Sequence, residues 1–89
     1  MATTAADVQQ FILGRVGDPL QAKGLAAADV PDSFDLLLEG VIDSFGIVEL
    51  IGALEERYGV EFEFDELAPD DLTRIGPLSS YVAAKLNGR

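Results

Sequence analysis

Residues 44–58 read SFGIVELIGALEERY. Ile47, Leu50, Ile51, Leu54 and Tyr58 fall at i, i+3, i+4, i+7 and i+11, one stripe of an α-helix. The spacing predicts a helix over 44–58 with that stripe on the core, stopped by Gly59. The opposite face carries Phe45, Val48, Glu49, Gly52, Ala53 and Glu56. A face that met only water would be polar throughout. This one mixes two acids with two large apolar side chains and a glycine, which costs about 1 kcal/mol relative to alanine inside a helix. Two readings stay open. Either the long loop covers Phe45 and Val48 and Gly52 is merely tolerated, or the helix is two-sided, with one face for the core and one for a partner held by apolar contact inside an acidic field.

Ser44 stands where this helix begins. Serine is a favoured N-cap, and Asp43 can share that duty. Equally, an anionic ester on Ser44 would meet the positive end of the helix dipole and unpaired N–H groups. The spacing alone leaves both roles open.

Working outward, Val8, Phe11, Ile12 and Val16 predict a first helix over 4–16, with Thr4 and Asp7 as a capping pair and Gly17 as a stop. Residues 17–43 read as a long connection punctuated by Pro19, Gly24, Pro31 and Gly40. Its Leu20, Leu25, Val30, Phe34, Leu36, Leu37 and Leu38 are too many for a free linker. A packed connection with a helical turn near 34–39 is expected. After Gly59, VEFEF alternates like a strand but has no partner. An extended connection is expected there, burying Val60 and Phe62, with Phe64 a third candidate. One or two short helical turns are expected around Pro69, between Leu67 and Ile75, as a short helix within 65–75. A last helix is expected over 77–87, with Pro77 at its first position and Leu78, Tyr81, Val82 and Leu86 on its buried stripe. The fold class expected is all-α, one domain over residues 1–89.

Eighty-nine residues with 48% hydrophobic content support one modest core. Sixteen acids against six cations give a net charge of −10, and the excess sits in the middle. Residues 39–71 hold eleven acids against Arg57 alone. Such a surface disfavours nucleic acid and anionic lipid and attracts basic proteins. With no cysteine there is no thiolate or cysteine metal site, and with no histidine Ser44 has no ordinary base for hydrolase chemistry. An EF-hand calcium loop is absent. No apolar run reaches membrane-spanning length, and the first residues lack the basic and apolar regions of a secretory leader, so the cytoplasm is the expected compartment.

Gly40-Val41-Ile42-Asp43-Ser44-Phe45-Gly46-Ile47-Val48-Glu49-Leu50 resembles the modification site of acyl carrier proteins and related phosphopantetheine-binding carrier domains. The likeness continues through Ala53 to Phe62 and more loosely to the last helix. It implies a four-helix bundle with a long connection after the first helix and a short third helix. It implies that Ser44 carries 4′-phosphopantetheine, transferred from coenzyme A by a phosphopantetheinyl transferase, with Asp43 assisting that transfer. The arm's thiol would hold an acyl or aminoacyl group as a thioester for partner enzymes with basic docking surfaces, in fatty acid, polyketide or related biosynthesis. Phe45, Val48, Glu49, Gly52, Ala53, Glu55 and Glu56 would be the recognition residues. The chain would be a monomeric carrier with no catalytic residue and no metal. Phe45 in place of the family's common leucine, Arg57 in place of an acid and the added Phe64 depart from fatty-acid carriers. The run around Ser44-Phe45-Gly46 is similar to stand-alone carriers of activated amino acids such as D-alanine. The contrasting expectation is an unmodified acidic docking module that uses the same helix face for basic proteins.

Overall fold

The computed structural model describes residues 3–88. Four α-helices follow in order: α1 (Ala5–Arg15), α2 (Gly17–Ala22), α3 (Ser44–Tyr58) and α4 (Ile75–Leu86). There is no strand among the described residues, only one isolated bridge between Asp35 and Arg74. The fold is an all-α bundle.

Thr4 starts α1 through a reciprocal cap: its Oγ1 accepts from the Asp7 N–H at 3.2 Å, and Asp7 Oδ2 accepts from the Thr4 N–H at 3.0 Å. The main packing contact between helices is α1 on α4. Val8 and Ile12 from α1 are fully buried, as are Ile75, Leu78 and Val82 from α4. Helix α3 adds Ile47, Leu50, Ile51 and Leu54 to the same core, and Leu36, Val41 and Phe62 close it from the connections. At the end of α3, Tyr58 meets Phe11 edge to face at 5.8 Å, and the Arg57 guanidinium lies over both rings.

Several expectations are corrected. The stretch 17–43 is not continuous loop, because it contains α2 and a 3-10 turn at Ala27–Asp29. Gly17 does not end the helical path; Val16 bends it, and α2 begins at Gly17. Pro19 lacks the N–H that would continue the α1 ladder, yet in the first turn of α2 that N–H has no intrahelical acceptor to lose. The expected turn near 34–39 forms, with Glu39 N–H donating to Asp35 O, but its leucines divide: Leu36 is buried, whereas Leu37 and Leu38 are exposed. The short helical turns expected around Pro69 are there, as 3-10 turns at Phe64–Glu66 and Pro69–Leu72, so the short third helix within 65–75 is 3-10 rather than α. Leu67 and Ala68 between them are extended, as suits the residues leading into Pro69. Phe64 is exposed, not buried.

Helix α4 starts at Ile75, two residues before the expected position. The loop caps it by backbone: Ile75 N–H donates to Phe34 O at 3.0 Å and Gly76 N–H to Asp32 O at 2.8 Å. Pro77 then sits inside the first turn, where it does no harm. A Cβ on Gly76 would lie 2.8 Å from Asp32 O, so only glycine lets the loop approach this closely.

Candidate functional site

The start of α3 is built by Asp43, not by Ser44. Asp43 Oδ1 accepts from the Gly46 N–H at 2.8 Å, and its carbonyl accepts from the Ile47 N–H at 3.0 Å. Ser44 is therefore the first helical residue. It is exposed, and its hydroxyl has no hydrogen-bond partner among the described residues. The N–H groups of Ser44 and Phe45 point out of the helix start without intrahelical acceptors. Gly46 is required by packing: a Cβ there would stand 2.9 Å from Ile42 Cβ. The chain leading into the helix thus lies against its first turn.

Phe45 and Val48 are 69% and 66% exposed. Among the described residues no segment covers them, which removes the reading in which the connection buries them. Glu49, Gly52 and Glu56 are exposed beside them, and nothing lies within 4 Å of a Cβ placed on Gly52. The fold's own packing does not demand that glycine. Ala53 and Glu55 are half-buried. Glu55 has a task within the chain, since its Oε2 accepts from the Phe62 N–H at 2.9 Å. Arg57, the one cation of the acidic middle segment, is drawn to the rings at the far end of α3. The acids around Ser44 are left without it.

A groove of about 370 Å³ runs along one flank of α3. Ile47, Val48, Ile51, Phe64 and Leu72 line it, with Gly52 and Glu55 at its edge. Ile47, Val48 and Ile51 are i+3, i+4 and i+7 from Ser44, so the groove continues the line on which Ser44 sits. Its outer wall comes from the two 3-10 turns.

Asp35 is a structural carboxylate that pattern reading did not single out. Although buried, its Oδ1 accepts from the Leu37 and Leu38 N–H groups at 3.0 Å each, and its Oδ2 accepts from Thr73 Oγ1 at 2.8 Å. Burial opposes its charge. The Leu38 N–H, the Thr73 hydroxyl, the Leu37 N–H and the nearby Arg74 outweigh that and hold the carboxyl below its ordinary value of 3.8. Its signal in the sequence is an aspartate opening a turn, Asp35-Leu36-Leu37-Leu38. No group of acids among the described residues is arranged to hold a metal ion.

The family model described as the phosphopantetheine attachment site matches residues 21–82, more than half of the chain. The chain belongs to the phosphopantetheine-attachment family. It is a carrier protein, and its cofactor is covalently attached 4′-phosphopantetheine. No curated protein and no solved structure matches this carrier. The site suits the group: an unengaged hydroxyl stands at a helix start whose free N–H groups favour a phosphate. Carrier domains of this family generally present a bound group rather than catalyse. No helix among the described residues is long and apolar enough to cross a membrane.

Proposed function

We propose that Ser44 is the attachment residue and that the chain presents an acyl group to basic partner enzymes. The observation that carries this reading is the division of labour at the α3 start. Because Asp43 takes the cap, the Ser44 hydroxyl stays exposed and unengaged. Ser44 Oγ forms the bond to phosphorus as the nucleotide half of coenzyme A departs and the hydroxyl proton passes to a base on the transferase. Asp43 supports this as the adjacent carboxylate, its Oδ2 open to a cation that the transferase brings. Once attached, the arm supplies the thiol that a chain without cysteine lacks, to hold the acyl group as a thioester.

Phe45 and Val48, with Glu49, Gly52 and Glu56, form the recognition face, an apolar centre among acids that suits a basic enzyme. Ala53 and Glu55 border it. The nearly all-apolar groove on the Ser44 line favours an aliphatic acyl cargo, of the kind handled in lipid or polyketide assembly, over an aminoacyl one. The test is incubation of the purified chain with coenzyme A and a broad-specificity phosphopantetheinyl transferase. Intact mass should rise by one phosphopantetheine, and Ser44→Ala should gain nothing while keeping its helical circular dichroism. A wild-type mass that never changes returns the chain to an unmodified docking module.

A further inference from the structure

We propose that Arg15 is a specificity-determining residue for the partner enzymes: it repels an unbroken basic docking surface and favours a partner that places an acid opposite it. The inference deepens the reading of Ser44 and the recognition face given above, and it rests on that reading. Arg15 is the last residue of α1 and is exposed. With Val16, Ile42, Gly46, Glu49 and Leu50 it lines a cleft of about 340 Å³ between the end of α1 and the start of α3. At the helical repeat, Gly46, Glu49 and Leu50 occupy one flank of α3, and Ile47, Val48 and Ile51 of the groove occupy the other. The recognition face lies between the two flanks. Glu49 belongs both to the cleft and to that face, and Ile42 and Gly46 stand two residues either side of Ser44. A partner seated on the recognition face therefore has Arg15 at its rim.

Arg15 is a cation that the surrounding acids leave unneutralised. The one ion pair among the described residues is Lys85–Glu66, and no hydrogen bond or ring contact among them engages Arg15. It shares a cleft with Glu49, yet no ion pair joins the two. A positive charge at the end of α1 suits the helix dipole, but any position in the last turn serves that purpose. The dipole explains the sign of the charge and not its place on the cleft. A rim charge acts on association rate and on which surfaces approach productively. A basic partner surface is drawn by Glu49 and Glu56 and pushed back by Arg15, and like charges set opposite each other are a means of rejecting wrong partners. The matching surface is basic over Glu49 and Glu56 and carries an aspartate or glutamate at the cleft.

The probe is apo protein with coenzyme A and a broad-specificity phosphopantetheinyl transferase whose docking surface is basic, with modification followed by intact mass. Arg15→Gln should raise kcat/KM about threefold at low salt, mostly by lowering KM, and the gain should shrink as salt rises. Arg15→Glu should raise it further. The control combines Arg15→Gln with Gly14→Arg, which returns the charge to a neighbouring exposed position outside the cleft. This double variant should keep the faster rate and the helical circular dichroism of wild type. A return to the wild-type rate means that only net charge matters and overturns the proposal, as does an Arg15→Gln rate no higher than wild type. As a second measurement, the lysines and arginines of the transferase surface are changed to glutamate one at a time. At one of them the order should invert, with wild type outrunning Arg15→Glu; no inversion at any position overturns the rim placement. Equal rates for all variants remove this inference and leave the attachment reading intact, whereas a wild-type chain that accepts no arm removes both.

Discussion

The connections on either side of α3 are fastened in different ways. The one before it is held by a buried carboxylate and by backbone bonds to residues 73–76. The one after it is anchored at Phe62, which is buried and donates its N–H to Glu55, and beyond that point it is held by side chains nearer the surface. Tyr81 Oη accepts from the Glu63 N–H at 2.9 Å and donates to Glu66 Oε1 at 2.7 Å, and Lys85 Nζ is 3.0 Å from the same oxygen. Bonds in low dielectric resist competition from water, whereas bonds at the surface exchange with it. The segment that leads to Ser44 is therefore expected to be the stiffer of the two, and the stretch 63–67 that walls the groove the readier to yield. On the proposed reading, presentation of the Ser44 hydroxyl and seating of a cargo along α3 would make opposite demands on the chain, and the two fastenings would answer them separately.

The largest expected effect comes from Asp35→Ala. It removes the acceptor of the part-buried Leu37 and Leu38 N–H groups and leaves the Thr73 hydroxyl only its longer bond to Asp70 O, and should cost about 2–4 kcal/mol in denaturant unfolding. A loss below 1 kcal/mol would erase the distinction between the connections. Gly76→Ala should follow at about 1–3 kcal/mol, as the new methyl meets Asp32 and parts the loop from α4. Tyr81→Phe should cost only about 1 kcal/mol, because water replaces its partners. Amide hydrogen exchange in that variant should quicken over 63–67 and stay unchanged over 35–42. Quickening in both places would mean that the two connections move together.

The smallest effect, and the one that best separates the two sides, is the response to pH. Asp35 is depressed below 3.8, so its stabilisation is complete above that value and is lost as pH falls through its lower folded value. Tyr81 is raised above its ordinary 10.0, with burial the leading cause, and Lys85 is raised above 10.5, chiefly by its bond to Glu66. Their contribution is present below those values and is lost as pH rises through the folded ones. Alkali should therefore loosen the second connection first. Heteronuclear spectra above pH 10 should broaden at Glu63–Leu67 before they broaden at Asp35–Ile42; the reverse order would contradict the assignment.

The stripe of Ile47, Leu50, Ile51 and Leu54 made α3 plain from spacing alone, because each of those residues is buried on one side of a long helix. Phe45 and Val48 were legible only as an oddity, since spacing gives a direction but not whether another segment lies there. Helix α2 was hidden because Gly17 and Pro19 carry breaker chemistry that the first turn of a helix tolerates. Leu38 looked like core because composition does not separate a buried leucine from a presented one. Asp35 and Gly76 owe their roles to Thr73 and Asp32, partners 38 and 44 residues away, and local pattern does not reach that far.

Asp43 sets the register of α3, so position 44 is released from any duty in folding. If Ser44 is the attachment residue, as proposed, one codon switches the tether on or off while the molecule keeps its shape and its charge. On that reading a silenced copy would still present the proposed recognition face and return nothing to the enzymes that bind it, a decoy that no measure of folding would reveal.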